Sequence, residues 1–159
     1  MKLTSKQEQA VALLGGNQTH TMLFGGSRSG KTFLLVMAVV GRALKADNSR
    51  HAILRFRFNA AKASIWNDTL PKVLSLAFPE VVAMFNSTDF ICKLPNGSEV
   101  LIGGLDDKDR TEKILGMEFA TVYFNECSQI PYGSVETALT RLAQKATQTI
   151  DGKSTELKP

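Results

Sequence analysis

The sequence predicts an α/β fold of three layers, in which a mostly parallel sheet has helices on both of its faces. Short apolar runs, typical of buried strands, alternate along the chain with longer segments of helical periodicity. A glycine-rich turn joins the first apolar run to a proline-free helical segment, residues 31–46. An Asn96-Gly97 pair between two strand-like runs predicts an antiparallel hairpin over residues 89–103, with a two-residue primed turn.

The order of the predicted elements follows from their periodicity and from the residues at their ends. Thr4 or Ser5 can cap the first helix, Asn59 can cap a later one, and Pro71 suits the first turn of the next. Trp66 is more typical of a core residue than of a base-stacking platform. The expected strands are residues 20–24, 51–58, 89–94, 98–103 and 118–124, and the expected helices are residues 5–14, 31–46, 59–70, 72–78, 108–115 and 133–144.

The size and composition of the chain are those of one globular domain with a real core. Its 159 residues carry a net charge of +4, which permits contact with an anionic polymer but does not require it. Cys92 and Cys127 are too few for a disulfide framework or a zinc site, which favours a reducing intracellular compartment. No apolar run is long enough to span a bilayer, so we expect no membrane partner. We expect one domain over residues 1–146 and a polar tail, without a clear element, over residues 147–159.

Residues 25–32 fit the phosphate-binding pattern of a glycine, four free positions and then Gly-Lys-Ser/Thr. The glycines allow backbone N–H groups to turn inward, and the N-terminus of the following helix favours anions. Lys31 is expected to reach the β- and γ-phosphates, and the Thr32 hydroxyl to ligate Mg²⁺. The fold is therefore expected to be a P-loop fold. The predicted nucleotide-binding residues of the loop are Gly25, Gly26, Ser27, Arg28, Ser29, Gly30, Lys31 and Thr32.

A second candidate motif is the Asn125-Glu126 pair, which follows the buried strand predicted over residues 118–124. A strand beside a phosphate loop can deliver one side chain to the Mg²⁺ shell and a carboxylate to the attacking water. Glu126 is the better candidate for that carboxylate. An acid after a strand is usually a turn residue, and only the phosphate loop gives this pair its functional interpretation.

Three further polar residues keep two interpretations each. Gln7 lies just upstream of the loop and could bind an adenine edge through its donor and acceptor, or it could be a solvated helix residue. Arg55 and Arg57 share one face of the strand predicted over residues 51–58. They could face the phosphate of a nucleotide or of DNA, or they could lie at a solvated strand end.

Three segments resemble the N-terminal ATPase part of phage terminase large subunits, the motors that package DNA into procapsids. The first is LTSKQ at residues 3–7, and the second is the loop GGSRSGKT, with its internal arginine, at residues 25–32. The third runs from GGLDD at residues 103–107, through KILG at residues 113–116, to YFNECSQI at residues 123–130. The third is the most specific, because generic ATPases do not share it.

The resemblance implies a Mg²⁺-dependent ATPase with named residue roles. Gln7 would contact adenine, and Lys31 would act in catalysis as well as in binding. Arg28 would stabilise the γ-phosphate as charge develops, its alternative being an ordinary surface arginine. Glu126 would orient and deprotonate water. Thr32, Asn125 and Glu126 would hold the metal.

The resemblance also implies a place of action and partners. The expected place is the cytoplasm of the bacterial host, and the expected partners are double-stranded DNA, the portal protein and the terminase small subunit. Homo-oligomers are expected only on the portal. The main hypothesis is thus an ATPase that moves DNA when the whole motor is assembled. A helicase-type ATPase would need further downstream motifs.

Two departures from the family pattern favour a rival hypothesis. Asn125 stands where most such ATPases carry Asp, and an amide brings no charge to the metal. Only a short polar tail follows the helix after Glu126, where the family continues with a coupling segment and a nuclease domain. We therefore expect a truncated or split subunit that lacks DNA-cutting activity and one central strand. The rival is a non-catalytic nucleotide-binding or assembly module.

Overall fold

A five-stranded sheet forms the centre of the structure, a computed structural model that describes residues 2–16, 18–26 and 28–157. Its strands are β1 (Arg50–Arg55), β2 (Met84–Asn86), β3 (Ile91–Lys93), β4 (Glu99–Gly104) and β5 (Thr121–Phe124). They lie in the order β2-β3-β4-β1-β5. β1 is parallel to both β4 and β5, and the predicted hairpin is formed by β3 and β4, which are antiparallel. β2 is an additional strand that the sequence did not predict, and it pairs antiparallel with β3.

Helices cover both faces of this sheet. They are α1 (Ser5–Leu14), α2 (Lys31–Lys45), α3 (Phe58–Ala61), a π-helix (Lys62–Thr69), α4 (Leu70–Ala77), α5 (Lys108–Leu115), a 3₁₀ turn (Cys127–Gln129) and α6 (Tyr132–Leu139). The core on one face contains residues of α2, the π-helix and α4, and the core on the other contains residues of α5 and α6. The predicted three-layer α/β class is confirmed. Within the described parts of the chain, no helix is both long and apolar enough to cross a membrane.

Alternation along β1 divides the hydrophobic core in two, because successive strand residues point to opposite faces of a sheet. Ile53 packs in the core on the α2 face of the sheet. Ala52 and Leu54 pack in the core on the α5 face, and all three side chains are fully buried. Arg55, the last residue of β1, therefore lies on the same face as Ile53.

The predicted first core strand, residues 20–24, is not a strand in this structure. Met22 is 72% exposed and Phe24 is 90% exposed, so the apolar pattern does not correspond to burial here. A strand needs a neighbour that completes its backbone hydrogen bonds. Among the described residues, β5 pairs only with β1, and residues 20–24 pair with neither.

One continuous helical run replaces the two helices predicted between residues 59 and 78. It begins at Phe58, whose backbone N–H donates to Asp106 Oδ1 at 3.1 Å, so Asn59 is not the cap. Pro71 lies in the first turn of α4, as predicted, but α4 continues directly from the π-helix instead of forming a separate helix. Trp66 is buried in the core on the α2 face, as predicted.

The hairpin between β3 and β4 forms, but its loop is longer than the predicted two-residue turn. The N–H of Leu94 donates to the carbonyl of Ser98 at 2.9 Å, which leaves three residues in the loop. The N–H of Gly97 also donates to the carbonyl of Leu94, at 3.0 Å, and Gly97 has φ 79°. Pro95 explains the difference, because it has no backbone N–H to donate to Ser98 ahead of a two-residue Asn96-Gly97 turn, and its fixed φ suits the second position of a type I turn.

The C-terminal part of the chain contains an element that the sequence analysis missed. Helix α6 ends at Leu139, five residues before the predicted end. Residues expected to lack structure form a hairpin of β6 (Thr147–Ile150) and β7 (Lys153–Glu156). Its turn residues Asp151 and Gly152 both have positive φ, at 50° and 75°. The Asp-Gly pair was the available signal, because primed turns favour this dipeptide.

Candidate nucleotide-binding site

The phosphate loop curls around the side chain of Lys31, the first residue of α2. Lys31 Nζ donates to the carbonyl oxygens of Gly25 at 2.9 Å and Gly26 at 2.8 Å, and to Ser29 Oγ at 3.1 Å. Gly30 caps the helix with φ 83°, a left-handed conformation that glycine adopts without strain. The loop therefore holds its ammonium group at the N-terminus of α2, where the helix dipole favours anions.

Two residues of the loop remain without assigned contacts. Ser27 lies outside the described residues. Arg28 is exposed and has φ 60°, which is uncommon for a residue with a side chain. Its guanidinium makes no hydrogen bond or ion pair within the described parts of the chain. The structure thus presents Arg28 on the surface of the loop.

Gln7 connects helix α1 to the phosphate loop, a contact that the sequence analysis did not foresee. Its Nε2 donates to the carbonyl of Ser29 at 3.2 Å, and its Oε1 accepts from the backbone N–H of Thr4 at 2.9 Å. The second bond belongs to a capping box, in which Thr4 Oγ1 also accepts from the N–H of Gln7. Both groups of the amide are therefore engaged within the protein, close to Gly30.

A hydrogen-bonded cluster joins the phosphate loop to the end of β5. Thr32 Oγ1 donates to Asn125 Oδ1 at 3.3 Å, and Tyr123 Oη donates to the same oxygen at 3.0 Å. Asn125 is 4% exposed, and its backbone N–H donates to the carbonyl of Leu54 at 2.8 Å. The two sequence motifs, 93 residues apart, therefore meet at the carboxyl edge of the sheet, as predicted.

Tyr123 was not among the predicted site residues. Burial raises the pKa of its hydroxyl, so the group stays protonated and can serve as a donor at neutral pH. The strand period gives the signal that could have found it: residues i and i+2 share a face, so Tyr123 had to lie beside Asn125.

Glu126 directly follows this cluster, and its backbone is in the left-handed region. Its φ of 55° and ψ of 48° are unusual for a glutamate, and its side chain is exposed. The carboxylate is close enough to Tyr123 to raise the pKa of that hydroxyl further, although burial is the larger cause. Left-handed backbone at a non-glycine residue occurs disproportionately at functional sites.

The oxygen donors at this edge fit a hard divalent cation better than a soft one. Within the described ranges, no group of three or more His, Cys, Asp or Glu side chains could hold a metal. The Thr32 hydroxyl, the Asn125 carbonyl oxygen and the Glu126 carboxylate are oxygen ligands with a single charge between them. Mg²⁺ is commonly bound in this way, by few protein oxygens with phosphates and water supplying the rest.

The fold is that of a P-loop nucleoside triphosphatase, and sequence comparison identifies the family. The family model for the phage terminase large subunit matches residues 17–151 of the chain. The chain therefore belongs to the phage terminase large subunit family, as the resemblance of its motifs predicted. No curated protein sequence matches it.

Solved structures of the large terminase from a thermophilic bacteriophage share this fold. One crystal form superimposes with a TM-score of 0.79 at 16% identity, covering 96% of this chain and 37% of that one. The structure in complex with ADP gives 0.74 at 15% identity, covering 95% and 37%. The structure in complex with ATP-γ-S gives 0.72 at 13% identity, covering 90% and 36%. The present chain thus spans a little over a third of the length of these relatives.

Proposed function

We propose that this chain is the ATP-binding and ATP-hydrolysing part of a viral DNA-packaging motor. The observation that carries the proposal is the hydrogen bond from Thr32 to Asn125, which brings the phosphate loop and the Asn125-Glu126 pair together. Family membership supports it, and so do the ADP and ATP-γ-S complexes of the thermophilic phage's large terminase.

In this proposal the loop and the start of α2 bind the triphosphate. Backbone N–H groups of residues 25–32 and the Lys31 ammonium neutralise phosphate charge, with the helix dipole reinforcing both. All three donors of the Lys31 ammonium bond within the loop in this structure, so phosphate oxygens must replace some of these contacts when a triphosphate binds. Arg28, exposed on the loop, is the proposed cation that stabilises charge at the γ-phosphate.

Glu126 is the proposed general base. Its carboxylate orients the attacking water and accepts a proton as the water oxygen bonds to the γ-phosphorus, while the bond from that phosphorus to the β–γ bridging oxygen breaks and ADP leaves. Thr32, Asn125 and Glu126 are the residues that would hold Mg²⁺, which when bound neutralises charge on the phosphate oxygens. The left-handed backbone of Glu126 supports this role, because it projects the carboxylate from the edge of the sheet instead of continuing β5.

Gln7 is proposed to contact adenine, as the family resemblance implies. Since both ends of its amide bond to the protein, an adenine edge must replace or share the contacts with Thr4 and Ser29. Binding of the base would then change the hydrogen bond between Gln7 and the Ser29 carbonyl, and so would act directly on the phosphate loop.

The wider activity is proposed from family membership. Hydrolysis would drive double-stranded DNA into the procapsid when the chain acts with a portal protein, a small subunit and further copies of itself on the portal, in the cytoplasm of the bacterial host. Residues 1–146 would form the ATPase domain, with residues 147–159 as a tail outside it.

A second candidate function is a nucleotide-binding or assembly module without turnover. The neutral Asn125 favours it, because the buried residue nearest to Thr32 brings no charge to a metal. Measuring ATP binding and phosphate release separately distinguishes the two. The motor proposal expects release that depends on Glu126, at a slow rate for this chain alone. The module expects binding that depends on Lys31 and no release, even with procapsid and DNA.

A further inference from the structure

Arg55 ends β1 at the edge of the sheet where the candidate nucleotide site lies. β1 and β5 are parallel neighbours, with Ile53 opposite Tyr123 and Leu54 opposite Phe124. The bond from the Asn125 N–H to the Leu54 carbonyl continues this register by one residue. Arg55 therefore lies next to Asn125, and alternation places both on the face that α2 covers.

The guanidinium of Arg55 is held in place but is not fully satisfied. Its Nη1 donates to Ser64 Oγ at 3.1 Å, and that hydroxyl donates to the carbonyl of Ala60 at 2.7 Å. Its Nε is buried and has no hydrogen-bond partner within the described ranges. A buried donor on a cation is costly to leave unpaired, so this arrangement is suited to an anionic acceptor that arrives with a ligand.

Ser64 belongs to the π-helix, Lys62–Thr69. Such segments are rare and occur frequently at functional sites. Here the segment supplies the hydroxyl that holds one end of the Arg55 fork. Of the two interpretations of Arg55, this arrangement favours a cation held in position for a phosphate over an arginine at a solvated strand end.

The positive charge of Arg55 is not paired with a carboxylate of any residue that the structure describes. Asn125, its neighbour in register, is an amide, where an aspartate would offer a carboxylate to the guanidinium. Arg55 forms no ion pair with any residue that the structure describes. Its positive charge nevertheless reaches Tyr123, the hydroxyl of which bonds to Asn125 beside Thr32. The cation is thus uncompensated close to the expected metal and phosphate end of the site.

We propose that Arg55 binds the terminal phosphate of the bound nucleoside triphosphate, as a further cation in addition to Lys31 and Arg28. The inference rests on the proposed nucleotide-binding function and assigns to that site a residue whose role the sequence left open. A terminal-phosphate contact makes Arg55 a determinant of triphosphate over diphosphate binding.

The test is equilibrium binding of ATP-γ-S and of ADP, each with Mg²⁺, to the wild-type chain and to Arg55→Gln, Arg55→Lys and Arg57→Gln. Arg57 is the matched control, because it is an exposed arginine two residues further along. Arg55→Gln should weaken ATP-γ-S binding about 10- to 100-fold, the range for loss of a charge-assisted hydrogen bond, and leave ADP binding unchanged. Arg55→Lys should lie between, and Arg57→Gln should change neither.

Three results would overturn the inference. Equal loss of ATP-γ-S and ADP binding in Arg55→Gln would show a structural arginine, and unchanged binding of both would show a bystander. If Arg55→Gln does not fold, the charge-retaining Arg55→Lys decides, because its ATP-γ-S to ADP ratio must still fall. If the wild-type chain binds neither nucleotide, the proposed function itself fails, and this is seen before any variant is compared.

Discussion

The Thr32 hydroxyl donates a hydrogen bond to Asn125 Oδ1 at 3.3 Å, which joins the first turn of α2 to the end of β5. In most P-loop ATPases that resemble this chain an aspartate occupies the position of Asn125. The same oxygen also accepts from Tyr123, so the amide orientation is set by two hydroxyl donors. Its NH₂ group then points away from both donors and cannot accept a hydrogen bond from a metal-bound water.

Asn125→Asp should therefore increase the affinity of the nucleotide site for Mg²⁺. The carboxylate keeps an acceptor for Thr32 and Tyr123 and adds the missing negative charge. We expect the Mg²⁺ concentration for half-maximal ATP-γ-S binding to fall roughly tenfold, because ligand charge tunes the affinity of oxygen sites. Asn125→Ala is the control that removes the acceptor and should raise that concentration. An identical Mg²⁺ dependence in Asn125→Asp and wild type would remove Asn125 from the metal site.

Lys31→Ala should abolish most nucleotide binding. The substitution removes a cation that the loop already positions with three hydrogen bonds. We expect ATP affinity to fall by about 100-fold, since both β- and γ-phosphate contacts are lost, and ADP affinity to fall as well, since the β-phosphate contact is common to both nucleotides. Lys45→Ala, at the exposed far end of the same helix, is the matched control and should bind normally. Nearly equal affinities for the two variants would mean that this loop does not bind phosphate.

Gln7→Ala separates base recognition from helix capping when it is compared with Thr4→Ala. Both changes break the capping box and should reduce the free energy of unfolding by about 1 kcal/mol. Only Gln7→Ala removes the amide from the loop, so only it should reduce the preference for ATP over GTP in competition binding. If the two variants show the same nucleotide preference, Gln7 is a capping residue and not an adenine contact.

Buried His51 predicts that the protein loses stability in mild acid. Burial, assisted by the nearby charge of Arg42, lowers the pKa of His51 to about 3, and its Nε2 lies 2.8 Å from Ser49 Oγ. The unfolded chain binds this proton below about pH 6.5, whereas the folded chain does not. The contribution is therefore complete above pH 6.5 and falls, by about 1 kcal/mol per unit, as the pH drops toward 3.

Urea unfolding at pH 7.5 and 5.0 measures this effect. Wild type and the exposed-site control His20→Asn should lose stability equally over that interval. His51→Asn should be less stable at pH 7.5 but should lose less on acidification. A steep pH dependence that persists undiminished in His51→Asn would assign the acid sensitivity to other groups.

The sequence predicted those features that local chemistry decides. The phosphate loop, the α2 start at Lys31 and the convergence of Asn125 on Thr32 follow from motif spacing and from parallel strands ending at one edge. It did not predict the contact of Gln7 with Ser29 or that of Arg55 with Ser64. These depend on how α1 and the π-helix pack, which no local pattern contains.

Two errors have a specific physical cause. Residues 20–24 have the composition of a buried strand. A strand forms only beside another strand whose backbone N–H and C=O groups are free to pair with it, and the composition of the segment does not indicate whether such a strand is present. The Asn96-Gly97 signal does not take account of Pro95, which lacks the N–H needed to close a two-residue loop, so Leu94 makes that hydrogen bond and the loop is longer. The roles of Glu126, Arg28 and Gln7 stay predictions.

The most direct test of the central claim is single-turnover ATP hydrolysis, with protein in excess, by the wild-type chain and by Glu126→Gln. Glu126→Gln should bind ATP normally. Because glutamine cannot accept the proton from water, the rate of phosphate release should fall by about 100-fold or more. Glu136→Gln, an exposed glutamate on α6, should match wild type. Equal rates for wild type and Glu126→Gln, including no release by either, would contradict a catalytic site built from the phosphate loop and Glu126.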